Sequence, residues 1–172
     1  AVLNDCKYGV SMNGNALELT LLRAGTCPEM CADNRVHHFT YAFTAWEGSF
    51  AESDVVRQGY ELNVKPVVAG GAVPTFSALT IDKENVILDT MKPAEDGSGD
   101  IILRLYESKK AAVLATVTLS DLLQGEKVYL CDMLENCKEE ISVESGEISL
   151  NFRAFEVKTV RIKNCLLYTS DA

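Results

Sequence analysis

Short stretches in which apolar and polar residues alternate recur along the whole sequence, and turn-forming residues separate them. Cys6–Met12 and Ala16–Arg23 flank an Asn-Gly turn, which predicts a β-hairpin. Seven further strands are predicted at His38–Ala45, Asn85–Met91, Asp100–Glu107, Ala112–Thr118, Lys127–Cys131, Glu147–Phe152 and Glu156–Ile162. Strands spaced about every ten to fifteen residues, with Gly, Asp and Asn between them, are typical of a β-sandwich. The sequence therefore predicts an all-β protein.

Helical signals are sparse, and one stretch divides the predicted strands into two groups. Only Ser49–Gly59 and Ser120–Leu123 are predicted to form short helical turns. Residues 68–78 are rich in Gly, Ala and Pro, which favours a linker between a first β unit at 1–67 and a second at 79–163. Residues 164–172 resemble translated sequencing-adapter read-through and are expected to be a non-native or disordered tail.

Charge and hydropathy exclude two classes of partner. The net charge of −9 and the pI near 4.7 argue against nucleic acid, whose phosphates would be repelled. No apolar run approaches the roughly 18 residues that a membrane-spanning helix needs. The chain starts without Met, and Ala1-Val2-Leu3 resembles the middle of a strand, so a piece of a longer protein is expected.

Six cysteines raise the question of a metal site or a disulfide framework. Cys27, Cys31, Cys131 and Cys137 have the residue type for a four-thiolate zinc site, but their spacing is looser than that of zinc knuckles. A disulfide framework is not expected in a chain with this much apolar sequence. We therefore expect free thiols that pack as small apolar groups, and no metal held by this chain.

Several blocks of sequence occur in the order found in a known family. The first half contains LNDCKYG, LTLLR, HHFTYAF and YELNVKP, and the second half contains ENVILDTMKPAEDGSGDIILRLYE and FRAFEVKTVRIK. Together these blocks resemble the C-terminal β region of glycoside hydrolase family 38, the α-mannosidases. The similarity is to the branch shared by bacterial, fungal and cytosolic enzymes, and it extends from residue 1 to residue 163.

The resemblance implies a fold and a role. Residues 1–67 would be the end of a large β-sandwich, and residues 79–163 a small C-terminal antiparallel β-sandwich. In full-length members, an N-terminal barrel holds zinc or another divalent metal and supplies the carboxylates for retaining hydrolysis of α-mannosides. No catalytic residue is implied here. The implied partners are the missing catalytic domain and an α-mannoside, the implied compartment is the cytoplasm, and an unpaired first strand allows a homo-oligomer.

Four residues are candidates for the rim of the sugar site that the resemblance implies. Asp5 and Lys7 have groups that bond sugar hydroxyls, and Tyr8 can stack on a pyranose face. Arg23 ends an otherwise apolar strand, and the resemblance places it toward the substrate. The alternative is structural: Asp5 would cap a turn with Asn4, Lys7 and Tyr8 would line a domain boundary, and Arg23 would form a salt bridge there.

Two other groups of polar residues have a structural interpretation that outweighs metal binding. His37 and His38 are adjacent, so they would point to opposite faces of a strand, and a histidine bonded to the backbone is favoured over a ligand. The acidic segment 95–100 lacks the spacing of a calcium loop and is predicted to be a hairpin turn.

A second function is compatible with the sequence, that of an autonomous carbohydrate-binding β-sandwich. Such modules use exposed aromatic rings as a platform for sugars. Trp46, Phe50 and Tyr60 are the residues that would form this platform.

Overall fold

In the computed structural model, the described residues are 1–72, 74–125 and 127–163, so the predicted tail at 164–172 lies outside them. The chain divides into two compact units, and the boundary falls between Gly70 and Gly71. This boundary lies within the stretch that the composition predicts as a linker. Each unit is described by itself below.

The first unit contains four short strands and one helix. Strand β1 (Val2–Asn4) pairs with β4 (Tyr41–Phe43), and β2 (Gly9–Asn13) pairs with β3 (Ala16–Thr20), both antiparallel. A single 3-10 turn at Phe50–Glu52 precedes helix α1 (Val55–Asn63). The amide of Asn63 donates a hydrogen bond to the carbonyl of Asn4, which ties the helix to the end of β1.

The β2–β3 hairpin is the one that the Asn-Gly signal predicts. Asn13 pairs with Ala16, which leaves a loop of two residues. Gly14 has a φ of 58°, and glycine is the residue that two-residue hairpin loops favour at a position of positive φ. The local sequence is therefore sufficient to set the register of this hairpin.

The first unit leaves its apolar side chains in solvent. Of residues 1–70, all of which are described, Ser53 alone is buried. The exposed large apolar side chains of the two sheets are Val10, Met12, Leu17, Tyr41 and Phe43, and Tyr8 directly before β2 is exposed as well. Exposed apolar surface on this scale is typical of a surface that another protein segment covers.

The second unit is an antiparallel β-sandwich. Its strands are β5 (Leu79–Ile81), β6 (Val86–Pro93), β7 (Ile101–Glu107), β8 (Val113–Leu119), β9 (Lys127–Cys131), β10 (Cys137–Ile141), β11 (Glu147–Phe152) and β12 (Val157–Lys163). One sheet has the order β10-β9-β12-β7-β6 and the other β11-β8-β5. The described chain is thus mostly β with one short helix, and the predicted all-β class is confirmed.

The facing sides of these two sheets form one hydrophobic core. In β11, every second residue is buried, as expected for a strand with one face on the core. Leu105 from one sheet and Phe152 from the other belong to the same buried cluster. The other fully buried members include Leu103, Val117, Ile148, Val160 and Ile162.

A buried arginine pairs with two carboxylates of the acidic turn between β6 and β7. The Nε of Arg161 donates to the carboxylate of Asp100 at 2.7 Å, and its Nη2 donates to that of Asp96 at 2.6 Å. The Arg161 hydrogen bond is the main cause that lowers the pKa of Asp96 below its usual value. Segment 95–100 is therefore the predicted hairpin turn, and its counter-charge comes from within the chain.

The turn between β9 and β10 is held to β6 of the five-stranded sheet by the charged side chain of Glu135. The buried carboxylate of Glu135 lies 2.6 Å from the amine of Lys92 and accepts a hydrogen bond from the backbone N–H of Glu95. The Lys92 hydrogen bond is the main cause that lowers the pKa of Glu135. The Arg104 guanidinium donates to the carbonyl of Met133 in the same turn.

Four elements differ most from the sequence-based prediction, and β2 and β3 of the hairpin are also shorter than the predicted Cys6–Met12 and Ala16–Arg23. Strand β4 is shorter than His38–Ala45 because β1 offers it only three partner positions. Helix α1 has nine residues where a single turn was expected, and Arg57 pairs with Asp54 and Glu61 along it. Strands β5 and β10 were not predicted at all. Among the described residues, no helix is long and apolar enough to span a membrane.

Candidate functional site

An open cavity of about 390 Å³ lies in the first unit, beside the hairpin. Three of the four residues singled out from the sequence line it, namely Lys7, Tyr8 and Arg23. The loop before β4 contributes Asp33, Arg35 and His37 to the lining. We call this site the basic cavity.

The segment between β1 and β2 brings Lys7 and Tyr8 to the basic cavity. The carboxamide oxygen of Asn4 accepts a hydrogen bond from the backbone N–H of Lys7 at 2.8 Å, which closes a turn directly after β1. Gly9 follows, and a Cβ there would lie only 2.9 Å from the Cβ of Thr20. Glycine at this position therefore allows β2 to begin close to the end of β3, where Arg23 follows.

Asp5 has a different environment and is not among the residues that line the cavity. Its carboxylate accepts a hydrogen bond from the backbone N–H of Thr40, and its own backbone N–H donates to the Thr40 carbonyl. The hydrogen bond from Thr40 is the largest of the contributions that lower the pKa of Asp5. Asp5 thus fastens the end of β1 to the residue before β4, and it acts on the cavity through the backbone.

The three candidate side chains at the cavity remain available to a ligand. Tyr8 is 83% exposed, so a face of its ring is open to solvent. The Lys7 amine lies 5.4 Å from the centre of the Phe39 ring, a cation–π contact that restricts the side chain without neutralising it. Within the described chain, the guanidinium of Arg23 forms no hydrogen bond or ion pair. These groups offer an aromatic face and several hydrogen-bond donors.

The loop residues of the cavity were not predicted from the sequence as a site. Asp33 has a φ of 59°, and its carbonyl oxygen lies 2.8 Å from the Nε2 of His37. His37 therefore forms the backbone contact that the sequence favoured over metal binding. Arg35 lies 3.8 Å from the carboxylate of Asp33, and both side chains are exposed. No spacing pattern marks this loop, so only the fold reveals that it closes the cavity.

The charge of the cavity is opposite in sign to that of the whole chain. Lys7, Arg23 and Arg35 outnumber the single carboxylate of Asp33 at the site, whereas the chain carries −9. Donors of this kind bind the oxygen atoms of hydroxyl and carboxylate groups. An oxygen-rich ligand such as a sugar, bound against the ring of Tyr8, fits this set of side chains.

The aromatic residues of the alternative function are less available. Trp46 is 38% exposed, and its indole N–H donates to the carbonyl of Ser49 at 3.0 Å. Phe50 lies in the 3-10 turn and is partly exposed, and Tyr60 is half-buried on α1. The structure gives no specific support to a sugar platform built from these three rings.

Metal ligands are not clustered in the part of the chain that the structure describes. There, no group of three or more His, Cys, Asp or Glu side chains is placed to hold a metal ion. Cys6, Cys27, Cys31, Cys131 and Cys137 are free thiols. The described residues therefore offer no site for the divalent metal that the family resemblance implies.

The chain matches known proteins over almost its whole length. Residues 85–160 match the family model of the glycosyl hydrolases family 38 C-terminal beta sandwich domain. The chain is 37% identical to mouse alpha-mannosidase 2C1, 33% to Dictyostelium discoideum alpha-mannosidase G and 31% to the alpha-mannosidase of Saccharomyces cerevisiae. These matches cover 93% or 94% of this chain, but the chain spans only 16% or 17% of the length of those relatives.

The family match and the observed structure agree on the type of fold and on the residues that form it. The matched residues begin just before β6 and end within β12, so they contain the six strands β6 to β11 and the first part of β12. The two facing sheets and their common core form a β-sandwich, which is the fold in the description of that family. The sequence match and the fold therefore identify residues 85–160 as a C-terminal β-sandwich domain of glycosyl hydrolase family 38.

Proposed function

We propose that this chain is the C-terminal β region of a retaining α-mannosidase and that it works as part of a longer polypeptide. The observation that carries this proposal is the pair of coverage values: alpha-mannosidases match 93% or 94% of the chain, yet the chain spans about a sixth of them. The catalytic carboxylates and the metal would then lie in the part of the enzyme that this chain lacks, and the reaction would be hydrolysis of α-mannosides.

The first unit is the part that we propose to pack on the catalytic domain. It buries Ser53 and no apolar side chain, and it leaves aromatic and aliphatic residues of its strands exposed. Covering that surface with another domain would remove apolar area from water and would supply the core that the unit lacks. This feature supports a docking role and argues against an independent binding module.

The basic cavity is the part that we propose to border the sugar site. Tyr8 would stack on a pyranose face, while Lys7 and Arg23 would donate hydrogen bonds to sugar hydroxyls. Asp5 would not contact the sugar. Its role in this proposal is to hold the turn before Lys7 through the two hydrogen bonds to Thr40.

The rim role can be tested in a chimera in which this chain replaces the matching segment of mouse alpha-mannosidase 2C1. In that enzyme, Arg23→Ala is expected to lower kcat/KM for an aryl α-mannoside by roughly 10- to 150-fold, the cost of losing a charged hydrogen bond of about 1.5–3 kcal/mol. Tyr8→Ala is expected to lower it as well, whereas Tyr8→Phe, which keeps the stacking face, should retain most of the activity.

The matched control for this test is Arg57→Ala on α1. Arg57 is also an exposed arginine, but its partners are Glu61 on the same helix and Asp54 directly before it, and Arg57 does not line the cavity. Its removal should leave kcat/KM unchanged. Equal activities of the Arg23→Ala and Arg57→Ala chimeras would contradict the rim role.

A further inference from the structure

Two cysteines of the second unit face each other across neighbouring strands. Cys131 is the last residue of β9, Cys137 is the first residue of β10, and the two are paired in the antiparallel register. Their sulfur atoms are 3.7 Å apart. A disulfide requires about 2.05 Å, so the sulfurs need to approach by less than about 2 Å, which a side-chain rotation can provide.

The turn between these cysteines already holds them in place. The carboxylate of Asp132 accepts hydrogen bonds from the backbone N–H groups of Leu134 and Asn136, and the N–H of Asp132 donates to the Asn136 carbonyl. The hydrogen bond from Lys138 is the main cause that lowers the pKa of Asp132 to about 2, so its carboxylate stays ionised near neutral pH. The backbone therefore needs little rearrangement to admit a bond between the sulfurs.

The two thiols differ in access to solvent. Cys137 is exposed, whereas Cys131 is buried. Burial, followed by the hydrogen bond with Cys137, raises the pKa of Cys131 to about 12. An oxidant in solution therefore meets Cys137 first, and Cys131 lies behind it as the second sulfur.

We propose that Cys131 and Cys137 form a reversible disulfide through thiol–disulfide exchange with low-molecular-weight disulfides such as oxidised glutathione. The Cys137 thiolate attacks one sulfur of the small disulfide, and one thiolate leaves. Cys131 then loses its proton to solvent and attacks the Cys137 sulfur, which releases the second thiolate. Two protein thiols are oxidised, one small disulfide is reduced to two thiols, and the proposal is independent of the mannosidase function.

Peptide mapping of the full chain tests this proposal directly. The protein is treated with oxidised glutathione under native conditions, alkylated and digested with trypsin. Cleavage after Lys127 and Lys138 yields peptide 128–138, which contains both cysteines and no other cleavage site for trypsin. We expect neither cysteine of this peptide to be alkylated, and we expect its mass to be lower than that of the reduced peptide by two hydrogen atoms. A second cleavage after Glu135, which lies between the cysteines, should leave the two fragments joined by the disulfide.

The chain provides an internal comparison in peptide 24–35, which contains the exposed thiols Cys27 and Cys31. These cysteines are closer in sequence than the proposed pair. If sequence proximity alone governed oxidation, Cys27 and Cys31 would form a disulfide faster than Cys131 and Cys137. That result, or a peptide 128–138 that keeps two alkylated thiols, would overturn the proposal.

Two single variants separate the roles of the sulfurs. In Cys131→Ser, Cys137 is expected to retain one glutathione, because no second thiol displaces it. In Cys137→Ser, the buried Cys131 is expected to react at least about tenfold more slowly. Equal rates of glutathione uptake in the two variants would show that the pair does not work in this order, and would overturn the proposal.

Discussion

Replacing Arg161 with methionine is expected to lower the free energy of unfolding of the second unit by about 3–5 kcal/mol, because it removes the positive charge that balances a buried carboxylate. The Arg161 side chain is only 10% exposed and that of Asp100 only 5%. Methionine keeps much of the volume of the arginine stem but supplies no hydrogen-bond donor for Asp96 or Asp100. Chemical denaturation followed by circular dichroism measures the loss.

Two further variants test whether the buried charge causes the loss of stability in Arg161→Met. Arg153→Met removes an arginine whose ion pair with Glu156 is on the surface, with the Arg153 side chain 87% exposed, so a change within about 0.5 kcal/mol is expected. Adding Asp100→Asn to Arg161→Met removes the buried negative charge that Arg161 no longer balances, and it should restore part of the stability. If Arg161→Met proves as mild as Arg153→Met, the network contributes no more than a surface pair.

The two units of the chain, expressed as separate proteins, are expected to differ in whether they unfold cooperatively. Residues 71–163 contain the whole buried apolar cluster and should unfold in one cooperative transition, whereas residues 1–70 bury no apolar side chain and should show none. Thermal unfolding followed by circular dichroism measures both. A cooperative transition in residues 1–70 would contradict the view that this unit needs a partner for its exposed surface.

A pair of leucine variants ties that transition to the sandwich core. Leu105→Ala, at a fully buried position of β7, should cost about 2–5 kcal/mol in residues 71–163. Leu114→Ala, on β8 with its side chain 60% exposed, should cost much less. Similar costs at the two positions would mean that the cooperative transition does not report on the core between the sheets.

The longer strands with an apolar pattern were predictable from the sequence, whereas the three-residue β5 and the charged β10 were not. Glu147–Phe152 was predicted with the same bounds as β11, because its alternation reflects burial of one face on the core. Lys127–Cys131 was also predicted with the same bounds as β9. Strand β10 reads CKEEI and lies at the edge of its sheet without a buried residue. Charges on an edge strand prevent unwanted pairing, and they also remove the pattern by which a strand is recognised.

The sequence predicted part of the candidate site, but it did not predict the contacts between residues that are distant in sequence. Lys7, Tyr8 and Arg23 were found from the resemblance, and the fold brings them to one cavity. Asp5 has the same polar character, but its partner Thr40 is 35 residues away, and no local pattern reveals such a bond. Arg35 shares the cavity for the same reason, because the pairing of β1 with β4 positions its loop.

The central claim is that this chain is an accessory β region that requires the catalytic part of an α-mannosidase. Its most direct test compares turnover of an aryl α-mannoside by the 172-residue chain alone with turnover by the chimera in which it replaces the matching segment of mouse alpha-mannosidase 2C1. We expect no turnover by the chain alone and restored turnover by the chimera. Hydrolysis by the purified chain alone, or a correctly folded chimera without activity, would contradict the claim.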